Sequence, residues 1–171
     1  SAFKPFALVA ALESGLSPSE TFPAPSTLQL ALESGEIWDV TNAEGAGYGS
    51  MTLRAATVRS VNTVYAQLID RLGAETVVEV AERMGLRCCP RVSSPRHPLE
   101  PYLSAVLGTN EVNTLEMASA YGTLATGGVR TRPVPVSRVT DARGTVIWSA
   151  NTSGDRVLDP HLEQAPGFGI D

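Results

Sequence analysis

An α+β fold, mainly helical with one β-hairpin, is predicted for this chain of 171 residues by three observations. Five segments place apolar residues at helical spacing, and four of them run into a glycine: Gly15, Gly73, Gly85 or Gly127. Near residues 133–149, two runs rich in β-branched residues flank Asp141-Ala142-Arg143-Gly144, which reads as a hairpin. The segments between are rich in proline, serine and glycine, as loops are.

The first helix is expected to hold Ser1 and Lys4 in its first turn and to continue through Pro5-Phe6-Ala7-Leu8-Val9-Ala10-Ala11-Leu12-Glu13-Ser14 to Gly15. It is apolar and made of good helix formers, so it should be buried. Pro5 is tolerated because first-turn N–H groups have no intrahelical acceptor. Residues 16–50 read as loop with brief extended pieces at Thr27-Leu28-Gln29-Leu30 and Ile37-Trp38-Asp39-Val40. Gly45-Ala46-Gly47-Tyr48-Gly49 has the look of a phosphate-cradling loop. No lysine follows it and no strand–loop–helix unit frames it, so it is read as a turn. From Met51 the pattern becomes helical, with Ser50 or Thr52 as candidate N-caps. A helix follows from about Asn62 to Leu72, and another from Ala74 or Glu75 to Met84. Residues 87–101 hold four prolines and read as loop. The next helix spans Asn113 to Ala125, with Asn113 and Glu116 at capping-box spacing. After the hairpin, residues 151–171 are expected to form an irregular tail, set apart from a domain spanning 1–150.

Composition narrows the function. With 43% hydrophobic and 18% charged residues, the chain has the make-up of a soluble globular domain. A net charge of −5 with scattered arginines disfavours nucleic acid. No apolar run approaches the roughly 20 residues that span a bilayer, and no signal peptide precedes Ser1; any address or anchor is expected on sequence outside this chain. Cys88 and Cys89 are adjacent, which excludes C-x-x-C spacing and leaves either a strained vicinal disulfide or two unremarkable thiols. His97 and His161 are far apart, without a neighbouring cluster of ligands, so neither a metal nor a cofactor is expected.

The only lysine in the chain is Lys4, and Ser1-Ala2-Phe3-Lys4 is an S-x-x-K sequence at the head of the buried helix. Residues i and i+3 share a helix face, so the Ser1 hydroxyl and the Lys4 amine could meet. A lysine made neutral by burial could then accept the serine proton and activate Ser1 as a nucleophile. The plainer alternative is a serine N-cap followed by a solvated lysine. A second motif, Ser60-Val61-Asn62, falls between two helices, where a hydroxyl and an amide can project from a turn.

S-x-x-K followed by S-x-N is the order used by serine acyl-transfer enzymes that also carry K-T-G. The chain resembles the transpeptidase domain of penicillin-binding proteins, in their bifunctional class A form. Ser1-Ala2-Phe3-Lys4-Pro5-Phe6, Tyr48-Gly49-Ser50-Met51-Thr52-Leu53-Arg54, Ser60-Val61-Asn62-Thr63, and Leu107-Gly108-Thr109-Asn110-Glu111-Val112 through Gly127-Gly128 all fall in the family's order. The resemblance implies the helical part of a β-lactamase-like fold, with most of the central sheet missing. It implies a D,D-transpeptidase that cross-links peptidoglycan stem peptides and is acylated by β-lactams, from an extracytoplasmic, membrane-anchored bacterial parent. By the same resemblance Ser1 is the nucleophile and Lys4 its general base. Ser60 would relay a proton to the leaving amine, and Asn62 would bond the substrate amide or Lys4.

The chain departs from the family at K-T-G, since its one lysine is already used in S-x-x-K. The family's first strands and glycosyltransferase domain are expected before Ser1, and its K-T-G strand after the hairpin. The oxyanion donor that strand supplies would then be absent, and Ser1 would carry an α-amine, so the isolated chain is expected to be impaired. Two other readings stay open: a remnant that binds β-lactam or peptide without turnover, and a structural module in which the Ser–Lys pair is incidental.

Overall fold

The computed structural model describes residues 1–32, 34–87 and 99–164. At its centre lies helix α1, Lys4–Glu13. Phe6, Ala7, Leu8, Val9, Ala10 and Ala11 are all buried, so the helix is covered on every side, as an all-round apolar sequence requires. Each large apolar side chain buried there contributes about 1.5–3 kcal/mol. Gly15, at φ +87°, closes the helix: its N–H reaches the Leu12 carbonyl while the Leu16 N–H reaches that of Ala11.

The helices around α1 match the sequence pattern closely. Helix α2 spans Leu53–Val58, α3 Asn62–Leu72 and α4 Ala74–Arg83. Val64, Tyr65, Leu68 and Ile69 of α3, with Val77, Val80 and Ala81 of α4, form one core with α1. Gly73 sits at φ +83° between α3 and α4, the conformation that a glycine there allows at no steric cost. A 3-10 turn at Leu103–Leu107, which the sequence reading did not foresee, packs on α1, α3 and α4. Helix α5 spans Thr114–Ala125 and is mostly exposed, burying Ala120 and Thr123. Its N-cap is Asn113, whose Oδ1 accepts the Leu115 N–H at 2.7 Å, while Glu116 accepts the backbone N–H of Arg87.

The strands pair two by two, all antiparallel. The two extended pieces foreseen near residues 27 and 37 are β2, Thr27–Ala31, and β3, Ile37–Thr41, paired as a hairpin; β1, Thr21–Ala24, precedes them. Met51 does not begin a helix as expected: it lies in β4, Gly49–Thr52, opposite Phe22 of β1. Helical periodicity at Met51 is overridden by that pairing, which buries Phe22 and Ala24, and Pro23 fits because a two-stranded ribbon leaves its missing N–H facing outward. The helix starts two residues later, where Thr52, one of the two expected caps, accepts the Ala55 N–H.

The predicted hairpin is present but shorter than expected. Strands β6, Arg138–Thr140, and β7, Val146–Ser149, flank a turn in which Asp141 Oδ1 accepts the N–H groups of Arg143 and Thr145. Val134–Ser137 precede it outside the strand. The expected irregular tail contributes one further strand: β5, Val129–Arg130, pairs with β8, Asp155–Arg156, and Leu158 is buried against Gly128. A β-carbon at Gly128 would stand 2.8 Å from that of Leu158, so the second glycine of Gly127-Gly128 makes this approach possible. Cys88, Cys89 and His97 lie outside the described residues; His161 lies in a 3-10 turn at Pro160–Gln164.

Candidate active site

Lys4 is buried at 4% exposure in the first turn of α1, while Ser1 stands exposed three residues before it. The N-cap of α1 is Phe3 rather than Ser1, which removes the plainer reading of Ser1 as a cap. The lysine is not solvated either. Its amine donates to the Ser60 carbonyl, to Ser60 Oγ at 2.9 Å and to Asn62 Oδ1 at 2.7 Å, which engages all three protons of an ammonium. The expected direct bond between Ser1 and Lys4 is not among these. Ser1 Oγ instead accepts the Phe3 N–H at 3.2 Å.

The three acceptors around Lys4 are all neutral. Among the described residues no carboxylate pairs with the amine, and burial lowers it from the usual lysine value of 10.5 to about 8. The face of Tyr65, 5.4 Å from Nζ at the ring centroid, offers the cation a weak attraction that does not offset the desolvation. Tyr65 is itself pushed up to about 12 by burial, so it remains a neutral wall, its hydroxyl bonded to Thr57 Oγ1 at 2.7 Å.

Ser60 owes its position to the turn between α2 and α3. The Val61 N–H closes α2 onto the Ala56 carbonyl, and Ser60 sits at φ +54°, in the left-handed region where glycine is usual. This conformation points both its carbonyl and its hydroxyl at Lys4. Asn62, first residue of α3, is held from behind: its Nδ2 donates to the Thr41 carbonyl at the end of β3, leaving Oδ1 for the lysine.

Three supporting residues were not singled out individually in the sequence. Asn42, 5% exposed, accepts the Thr63 N–H at 3.0 Å and donates to the carbonyls of Pro25 and Ala46, tying the start of α3 to the β1–β4 region. It stands in a loop as an ordinary polar residue, with no local signal of this role. Gly108, at φ +91°, faces Ser1: a β-carbon there would lie 3.1 Å from Ser1 Oγ. Tyr121 of α5 donates to the Ala2 carbonyl at 2.8 Å. An open cleft of about 440 Å³ lies between Ala2 and α5, lined by Val112, Thr114, Met117, Ala118 and Tyr121.

A buried lysine of lowered pKa, bonded to a serine and an asparagine at the junction of α2 and α3 and with a second serine three residues before it, has the make-up of a serine acyl-transfer site. The family model described as penicillin binding protein transpeptidase domain matches residues 1–164. The chain belongs to the penicillin-binding protein transpeptidase family. It is 34% identical over 166 residues to penicillin-binding protein 1A of Aquifex aeolicus, covering 97% of this chain and 22% of that protein. Among solved structures it is similar to the PonA1 protein from Mycobacterium tuberculosis in complex with penicillin V, with TM-score 0.76 and 31% identity over 95% of this chain and 43% of that one. It is also similar to the penicillin G acyl-enzyme complex of penicillin-binding protein A from M. tuberculosis, with TM-score 0.79 and 27% identity over 96% of this chain and 40% of that one. The chain thus spans about a fifth of the length of the curated relatives it matches.

Proposed function

We propose that this chain is the part of a peptidoglycan D,D-transpeptidase that carries the acylating serine, its base and its proton relay. The observation that supports this most directly is the Lys4 amine, buried with no counter-ion among the described residues and held by Ser60 and Asn62. In the reaction, Ser1 Oγ attacks the carbonyl carbon of a D-alanyl-D-alanine or β-lactam amide and its proton passes to neutral Lys4. The C–N bond then breaks, and the leaving amine takes a proton through Ser60, whose hydroxyl already contacts Lys4. Asn62 fixes the lysine in place. The ester left on Ser1 is resolved by an acceptor amine of a second stem peptide.

The K-T-G element that such a site also uses is absent from these 171 residues, so the isolated chain reacts more slowly than the whole protein. Acting on peptidoglycan places the parent in the bacterial cell envelope, outside the cytoplasm. None of the described helices is long and apolar enough to cross a membrane, so a membrane anchor would belong to the rest of the parent.

The test is intact mass after incubation with penicillin G. Because ring opening expels no atom, acylation adds the mass of the whole antibiotic. The adduct is expected to be released by hydroxylamine and to be missing in Ser1→Ala. A folded protein that gains no adduct, or an adduct that survives in Ser1→Ala, contradicts an acyl-enzyme on Ser1.

A further inference from the structure

The peptide group joining Ala2 to Phe3 is hydrogen-bonded at both ends. Its carbonyl accepts the Tyr121 hydroxyl at 2.8 Å, and its N–H donates to Ser1 Oγ at 3.2 Å. The two bonds share one conjugated amide. A donor on the carbonyl draws electron density through the C–N bond and makes the N–H a better donor in turn. Tyr121 reaches this peptide from the middle of α5, and its ring stands edge-on to Phe6 of α1 with centroids 6.4 Å apart and planes at 89°.

The Phe3 N–H is free for this role because Phe3 is the N-cap of α1, ahead of the residues whose N–H groups bond within the helix. Ser1 Oγ is the acceptor in that bond, which leaves its own proton to travel elsewhere. Tyr121 is 38% exposed as a residue, so water is available to its hydroxyl; the bond to Ala2 is selected by the position of α5 and not by a need to avoid a buried orphan. Partial burial raises the phenol above its ordinary value, so it is still a donor around pH 8, where Lys4 loses its proton.

We infer that Tyr121 is a positioning residue for the nucleophile, orienting and polarising, through the Ala2–Phe3 peptide, the N–H that holds Ser1 Oγ. As the serine proton leaves, negative charge grows on Oγ, and a hydrogen bond to that atom strengthens with the charge. The inference rests on the reading of Ser1 as the attacking residue, but the hydrogen-bonded relay can be observed without any reaction.

The experiment compares this chain with its Tyr121→Phe variant, which keeps the ring against Phe6 and deletes the hydroxyl alone. Amide-resolved NMR is expected to show the Phe3 proton moving upfield and exchanging about threefold to tenfold faster, the range set by one hydrogen bond. The second-order rate of penicillin G acylation is expected to fall by about the same factor, with reversible binding and the pH profile unchanged. An unmoved Phe3 amide overturns the inference, and so does a moved amide with an unaltered acylation rate. If the unsubstituted chain is not acylated at all, the reading of Ser1 fails; a moved Phe3 amide then still supports the relay and an unmoved one still overturns it.

Discussion

Asn42 offers a direct test of how the site is braced. Its side chain makes three hydrogen bonds from a nearly fully buried position: Nδ2 to the Pro25 carbonyl at 2.8 Å and to the Ala46 carbonyl at 2.9 Å, and Oδ1 from the Thr63 N–H at 3.0 Å. In Asn42→Ala the three lost partners fare differently. The Pro25 carbonyl keeps a donor in Thr63 Oγ1, and Ala46 is partly exposed and can turn to water. The Thr63 N–H, in the unpaired first turn of α3 and on a fully buried residue, keeps nothing. One orphaned buried donor costs about 1–3 kcal/mol, and the two remaining bonds add about 1 kcal/mol together, since each has a substitute. The expected loss is about 2–4 kcal/mol, read as a lower urea midpoint at unchanged slope, or as a fall in Tm of roughly 5–15 °C for a domain of this size.

The variant Asn42→Asp separates the bonds. It keeps the acceptor for Thr63 but faces two carbonyl oxygens with a carboxylate, so it should be at least as unstable as Asn42→Ala at neutral pH and should recover as the pH falls and the acid is protonated. A loss below about 0.5 kcal/mol in Asn42→Ala, the size of an ordinary surface change, would refute the view that Asn42 braces the start of α3.

Further outcomes follow from the same geometry. Penicillin acylation should rise about tenfold per pH unit toward pH 8 and level off above it as Lys4 becomes neutral, and Lys4→Arg, which stays charged, should lower the rate by about a hundredfold or more. Between about 8 and 10.5 the unfolded chain binds a proton at Lys4 that the folded chain does not, so stability from this group rises with pH across that window; titration melts of Lys4→Met should lack the rise. Ser60→Gly relieves the left-handed backbone while Ser60→Ala does not, so urea melts should find the glycine variant about 1 kcal/mol the more stable, with acylation impaired in both; the reverse order would mean the turn carries no strain. Gly108→Ala places a methyl group against Ser1 Oγ at a backbone angle that disfavours it, and acylation should drop on the order of tenfold or more; an unchanged rate would show that Ser1 moves away from Gly108 to react.

How much of this was legible in the sequence differs by element. Helices α1, α3 and α4 follow from apolar spacing and from Gly15, Gly73 and Gly85, because their stop signals and buried faces are local properties. Residues 49–52 were misread because the partner that makes them a strand lies 28 residues earlier in an apparently irregular, proline-bearing piece. The pairing of β5 with β8 is likewise between distant segments, and two residues of strand leave no pattern to read. Ser1, Lys4, Ser60 and Asn62 were chosen on motif order. The structure brings Lys4, Ser60 and Asn62 into contact and leaves Ser1 bonded to its own turn. Spacing on a helix could suggest that Ser1 and Lys4 share a face, but it could not show that Lys4 would be captured by a turn 56 residues away.

Two departures from ordinary folding rules meet at that contact. A lysine buried with no counter-ion among the described residues is costly, and so is a serine in the left-handed region at the end of a helix. Each could be removed by a single substitution without disturbing the core: a methionine would fill the space of Lys4, and a glycine would suit the turn at Ser60. The surroundings hold both in place all the same. α1 is buried on every side, the Val61 N–H closes α2, and Asn42 and Thr41 anchor the first residues of α3. Lys4 satisfies its protons only because Ser60 adopts the conformation that points a carbonyl and a hydroxyl at the same amine. Packing alone gives no reason for that arrangement. The proposed role does: a general base has to be neutral near its working pH and still be fixed in position, and burial would supply the first property and the strained turn the second.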